Sequence, residues 1–387
     1  MDHLIRKYAL TDSALIGEIE KALLDTYFSD YDPTFLNSKE GREDIRNNVY
    51  KRYNHSLEHV VPWIGRYTEL AGKNVLEIGC GTGSSTAALS HFVGHIEGYD
   101  IHDLSVQGAS RRMEIMELDN VSLHVVDSER LFQHINEDGD TSFDLILLFA
   151  VLEHQTIEER IFTLRRCWEL LADEGIMVIV DTPNLLCYYD AHTSRMPFLH
   201  MLPSRLYALY SSHSHREGFN TAFAHSENMS AEELDIDIAR WARGVSYHDF
   251  EMALGKGYKK HIVSHGFDKE ILDWYTVSTE EILLRWYVEH KQLDVPLGLT
   301  RWVLNLILQK GGTEKRYNST GVDSIERHIF LPEKQLNDLE SQLLEKDRRI
   351  AEVYLSKTYR MGDLLATPYR KLSRMLSWLF TIGILSG

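Results

Sequence analysis

The chain has 387 residues, 43% of them hydrophobic and 26% charged, the composition of a folded protein with ample core in one large or two ordinary domains. Its net charge of −17 argues against a protein whose main business is coating nucleic acid. Cys80, Cys167 and Cys187 lack metal-type spacing and are too few for a disulfide scaffold, so a reducing cytoplasm is expected, and neither a secretory leader nor an apolar run long enough to span a bilayer is present.

Residues 1–72 read as a helical cap. In "DSALIGEIEKALLDTYF", Leu15, Ile19, Leu23 and Tyr27 fall at helical spacing, with Asp12 or Ser13 as the capping residue. From 73 to 181 short apolar strands alternate with amphipathic helices. The strands are "NVLEIG", "HIEGYD", "VSLHVVD", "FDLILLF" and "GIMVIVDTPN", and "SSTAALSHFV", "VQGASRRMEIMEL" and "IEERIFTLRRCWELLA" are the helices. That alternation predicts an α/β fold with a doubly wound parallel sheet covered on both faces.

The pattern changes over 182–330. "TPNLLCYYDAHTSRMPFLHMLPSRLYALYSSHSHREG" is rich in Tyr, His and Pro and too long for an ordinary connection, which predicts a functional insertion or lid. "VSYHDFEMAL" and "ERHIFLPE" are expected to be the later strands that complete the sheet, with "TEEILLRWYVEHKQL" a helix between them. Over 331–356, Leu336, Leu343 and Ile350 share one heptad position and Leu339 and Val353 the other, interrupted by Lys346. This is a short coiled coil through which residues 333–355 would join copies of the chain. In 357–387, Lys357, Arg360, Arg370, Lys371 and Arg374 face a single acid, Asp363, ahead of the apolar run "MLSWLFTIGIL". Such an end lies on an anionic membrane surface as a peripheral contact, or packs on the body of the protein or on a partner.

The stretch "NVLEIGCGTGSS" carries the chemistry. Glu77, Gly79, Gly81 and Gly83 spell E-x-G-x-G-x-G where the first strand meets its helix, and glycines there permit positive φ and close approach of backbone to a ligand. A phosphate loop would need a lysine that is absent, and a dinucleotide fingerprint needs a different spacing of the third glycine. The carboxylate of Glu77 suits a cationic ligand better than a diphosphate.

With these motifs in order, residues 74–181 resemble a class I S-adenosylmethionine-dependent methyltransferase. The resemblance implies a seven-stranded Rossmann-like sheet and S-adenosyl-L-methionine as cofactor. It places Glu77, Gly79, Cys80, Gly81 and Gly83 against the methionine part and ribose, and Asp100, with its neighbour Ile101, at the ribose hydroxyls. Asp127 and Ser128 would meet the adenine amine, and Phe149 and Ala150 would line the cofactor.

Methyl transfer from a sulfonium is an in-line displacement, and an oxygen acceptor requires a base. His154, beside Glu153 after the fourth strand, and His192, with Asp190 two residues before it to orient the imidazole, are the candidates, each equally able to serve its loop structurally. No metal is expected, although Asp190, His192 and Glu153 leave a metal-assisted version open. Aromatic faces and polar tips in the insertion suit a sugar ring. The "TPN…HTS…PF" region and the basic tail also resemble methyltransferases of bacterial surface-polysaccharide clusters. That resemblance implies O-methylation of a sugar hydroxyl on a surface glycan or its lipid- or nucleotide-linked precursor, in the cytoplasm or at the inner membrane face. The alternatives are a soluble methyltransferase of small metabolites, a non-catalytic scaffold, and a nicotinamide oxidoreductase, the last disfavoured by the glycine spacing.

Overall fold

The computed structural model describes residues 2–127, 130–135, 142–223, 226–275, 277–311, and 341, 342, 344–346, 348 and 349. It divides into two units, Met1–Val322 and Asp323–Gly387. In the second unit the described positions are helical, with Arg348 and Arg349 paired to Glu345 one turn earlier. The rest of the expected coiled coil and the whole tail from 357 lie outside the described residues.

The first unit is built on a seven-stranded sheet: β1 (Asn74–Ile78), β2 (His95–Asp100), β3 (Val121–Val125), β4 (Phe143–Phe149), β5 (Leu171–Pro183), β6 (Ile262–Ser264) and β7 (Val303–Gln309). Their order is β3-β2-β1-β4-β5-β7-β6. The first five strands run parallel and β7 is antiparallel to both of its neighbours. This is the seven-stranded, doubly wound, Rossmann-like sheet that the resemblance implies. Successive residues alternate between faces. Leu76, Ile78, Ile146 and Leu148 pack with Leu164 and Cys167 of the helix Ile157–Leu170 on one side, while Val75, Leu145 and Leu147 pack with Trp63, Ile64 and Leu89 on the other. The chain winds outward from β1 to β3 and then returns to β4 beside β1. That reversal opens a crevice at the carboxyl ends of β1 and β4.

The N-terminal segments cover that crevice. Asp12 caps the helix Ser13–Leu24 by accepting from the Ala14 N–H, and Ile19 and Leu23 of that helix are fully buried. Two π-helical turns, Asn47–Lys51 and Ser56–Val60, flank Arg52–His55 and shift which side chains face the sheet. The fully buried Arg112 ties cap to core by donating to the carbonyls of Thr82, Val49 and Asn48 at 2.9, 2.9 and 2.5 Å.

After β5 the chain forms a hairpin pairing Tyr189–Asp190 with Met196–Pro197, then the helices Ser204–Tyr210, Glu217–Ala222 and Ala231–Arg240. Leu199, Tyr207, Phe219, Leu234 and Ile238 give this insertion a small core of its own. One expectation is corrected: "VSYHDFEMAL" is not a strand but the helix Tyr247–Leu254. Asp249 accepts from the Ser246 N–H at 2.7 Å and from its hydroxyl at 2.9 Å, a cap that outweighs the aromatic, strand-like composition. The sheet is completed instead by β6 and β7, and "ERHIFLPE" lies outside the described residues. Among the described residues no helix is long and apolar enough to cross a membrane.

Candidate active site

A cavity of about 740 Å³ occupies the crevice, within the range of small-molecule sites. The glycine loop forms one wall. The N–H groups of Gly79 and Cys80 both donate to the Tyr99 carbonyl, at 2.7 and 3.1 Å, and the Gly81 N–H donates to Asp100 Oδ2 at 2.8 Å. Gly81 adopts φ +52, and a Cβ built there meets nothing within 4 Å. This is the open cradle that a backbone-hugging ligand requires. Asp100 Oδ1 accepts the His102 N–H at 2.9 Å, so each carboxylate oxygen keeps one lone pair for a ligand hydroxyl.

Gly79, Cys80, Gly81, Asp100, Ile101, Phe149 and Ala150 line the cavity together with His154 and His192. Three other expected residues lie off its wall. Glu77 is fully buried beneath the loop, its oxygens accepting from Ser85 Oγ at 2.5 Å and Thr86 Oγ1 at 2.6 Å. Burial pushes its carboxyl up to about 7 against those two hydrogen bonds, with Asp100 adding to the rise. At Gly83, φ +73, a Cβ would meet Ala109 and Met113 at 2.9 and 2.8 Å, so this glycine serves helix packing. Asp127 is exposed, and its carbonyl accepts from the N–H groups of Arg130 and Leu131 while the neighbouring Val126 faces the cavity. Ser128 lies outside the described residues.

The tautomers of the two imidazoles follow from their partners. His154 Nδ1 is 3.1 Å from the Arg240 carbonyl, which only accepts, so Nδ1 carries the hydrogen and Nε2 keeps its lone pair. Thr193 gives its hydroxyl hydrogen to the Ala242 carbonyl at 2.7 Å. His192 Nδ1 must therefore donate to Thr193 Oγ1 at 3.1 Å, and its Nε2 is also bare. Burial lowers both pKa values, that of His192 to about 4 with His154 as the next contributor, so both rings are uncharged near neutral pH. Their centroids are 6.5 Å apart. Asp190 does not orient the His192 ring as expected. Its carboxylate accepts the backbone N–H groups of His192, Thr193 and Ser194 and the Ser194 hydroxyl, closing the hairpin turn. Among the described residues no three His, Cys, Asp or Glu side chains are arranged to hold a metal ion.

Sequence reasoning missed several wall residues. Tyr27, Arg52 and His55 arrive from the cap, and Asp181, Tyr275 and Trp302 from β5 and beyond. Asp181 ends the apolar run of β5 as Asp100 ends β2, a signal that was available; the others have no local signature. Arg52 donates a hydrogen bond to Asn48 Oδ1 at 3.4 Å, and His55 sits edge-on to Trp274 with ring centroids 3.5 Å apart.

Residues 69–216 match the family model of the methyltransferase domain. A malonyl-[acyl-carrier protein] O-methyltransferase of Bacillus cereus is 31% identical, over 29% of this chain and 49% of that protein. A ubiquinone biosynthesis O-methyltransferase of Aromatoleum aromaticum is 30% identical, over 36% of this chain and 58% of that protein. The chain thus spans about half the length of these curated relatives. Among solved structures, an S-adenosylmethionine-bound amino pentose methyltransferase from Micromonospora echinaspora is 20% identical, over 37% of this chain and 56% of that one, with a TM-score of 0.28. A likeness of that extent bears on nothing further.

Proposed function

We propose that this protein is an S-adenosylmethionine-dependent methyltransferase acting on a hydroxyl oxygen. The observation that carries the reading is one cavity lined together by the open glycine cradle, Asp100 and two neutral imidazoles. The donor is S-adenosyl-L-methionine, which supplies a methyl group already activated as a sulfonium. Gly79, Cys80, Gly81 and Asp100 hold it, with Ile101, Phe149 and Ala150 lining its bed. Glu77 and Gly83 act beneath, the first by fixing Ser85 and Thr86, the second by letting the helices close up. His154 and His192, each with a bare Nε2, accept hydrogen bonds from the acceptor hydroxyl, and either can serve as base. An oxygen acceptor is supported by the curated relatives, both named for O-methylation.

The acceptor is a saccharide, on a bacterial surface glycan or its lipid- or nucleotide-linked precursor. Tyr189, Tyr275 and Trp302 offer ring faces while Gln155 and Arg240 offer polar tips, the mixture that sugar rings select. Residues 333–355 join copies of the chain, and 357–387 bring it to the inner face of the membrane. A small-metabolite acceptor is the second reading, favoured by the relative named for ubiquinone biosynthesis. The test is calorimetric titration with S-adenosylhomocysteine and, separately, NAD. Binding of the first alone, lost in Asp100→Ala, is expected. A screen for gain of one methyl mass on nucleotide- and lipid-linked sugars then decides the acceptor. Binding of NAD instead would overturn the reading.

A further inference from the structure

Asp181 stands apart from the other groups on the cavity wall. It sits near the end of β5 at a bulge, between Ile179 and Thr182, where the register with β7 shifts. There it takes φ +57, with its N–H held by Asn305 Oδ1 at 3.1 Å. A non-glycine residue in that region is strained, and the strain turns its carboxylate out of the strand line toward the cavity it lines. The Val180 carbonyl just before it accepts the N–H of Ala150 at 2.9 Å, so Asp181 adjoins the very end of β4. Its Oδ1 is shut off from bulk solvent and has no hydrogen-bond partner. An unpartnered carboxylate oxygen in such a place costs free energy that a ligand proton would recover.

We propose that Asp181 is a further catalytic residue, the carboxylate on which the acceptor's proton comes to rest. The proposal rests on the methyltransferase reading above. As the acceptor oxygen forms its bond to the methyl carbon, the bond from sulfur to that carbon breaks and its electron pair stays on sulfur. The hydroxyl proton passes to Asp181 Oδ1, directly or through a bare imidazole Nε2, leaving a neutral ether, a neutral thioether and a neutral carboxyl. Burial pushes Asp181 up to about 7, opposed by hydrogen bonding from the neighbouring Tyr275 hydroxyl and by the Arg52 guanidinium. The other charged group against it is Glu153, on the turn after β4. A carboxyl poised there accepts a proton near neutral pH more readily than His192, held near 4. Tyr275 is a positioning residue, acting through Asp181.

The test needs no acceptor. An amine analogue of the donor, in which an ammonium-bearing carbon replaces the methylsulfonium, points its N–H bonds at whatever group receives the acceptor's proton. Its affinity is measured beside that of S-adenosylhomocysteine from pH 5.5 to 8.5. In the wild type the ratio of the two affinities is expected to rise with pH through about 7. In Asp181→Asn the ratio falls more than ten-fold and loses its pH dependence, while S-adenosylhomocysteine binding, which also reports folding, stays within two-fold. Tyr275→Phe removes a hydrogen bond that favours the anion, so the midpoint moves to higher pH. A ratio unchanged by Asp181→Asn, with S-adenosylhomocysteine still bound, would overturn the role of Asp181 alone. Failure of the wild type to bind S-adenosylhomocysteine would overturn the methyltransferase reading and this inference with it.

Discussion

Replacing Gly81 by alanine separates binding from folding. The residue adopts φ +52, so an L side chain costs about 1–2 kcal/mol of backbone strain there. A Cβ at this point meets nothing within 4 Å, so no packing penalty is added. For a unit of this size that strain lowers Tm by roughly 1.5–3 °C. The new methyl group stands instead in the space where ligand and backbone make contact, and S-adenosylhomocysteine affinity is expected to fall at least about 100-fold, or ~2.8 kcal/mol. Gly79 is the contrasting case. At φ +74 its Cβ would lie 2.3 Å from Val151 Cγ2, and Val151 belongs to the turn that positions His154, so Gly79→Ala loses stability well beyond the strain alone. Thermal melts and calorimetry on both variants check the pair. If Gly81→Ala melted within the expected range yet bound S-adenosylhomocysteine within three-fold of wild type, the reasoning that places the cofactor in this cradle would fail.

Stability is expected to depend on pH through Glu153, which is fully buried with neither carboxylate oxygen hydrogen-bonded. Burial raises its pKa from 4.5 to about 8, so the folded state favours the protonated form. Its contribution is complete below pH 4.5 and is lost as pH rises through 8, an interval worth roughly 4–5 kcal/mol. Glu153→Gln should flatten the fall in Tm between pH 5 and 8.5, and an equally steep fall in the variant would count against this carboxylate as the cause. The buried Arg160 donates to the carbonyls of Leu152, Gln155, Arg243 and Gly244 and to Asp249. Arg160→Met leaves Asp249 buried without its cation and should cost about 3–5 kcal/mol by denaturant unfolding. A loss under 1 kcal/mol would mean that the insertion is held by its own core instead.

What could be read from the sequence was what short-range physics enforces. Alternating apolar residues marked β1 to β5, and the glycine spacing after β1 marked the ligand cradle, because positive φ and close backbone approach leave few residue choices. Asp100 could be placed because it ends β2, and His154 because it stands on the short turn that follows β4. The edge of the sheet was less legible. β6 has only three residues, β7 is a wholly buried run without period, and Ser246 with Asp249 capped a helix where the composition suggested a strand.

Tertiary structure alone decided what else shares the cavity. Arg52 and His55 reach it from the segment between two π-helical turns, Tyr27 from the turn after the helix Ser13–Leu24, and Tyr275 and Trp302 from segments more than 90 residues beyond the start of the insertion. It also moved Glu77 from the expected ligand shell to a strut under Ser85 and Thr86, and turned Asp190 from a partner of His192 into the cap of its turn. The reason is the range of the forces involved. A turn or a strand end is set by a few adjacent residues, whereas a cavity wall is set by how whole layers pack, and packing is encoded by the chain as a whole.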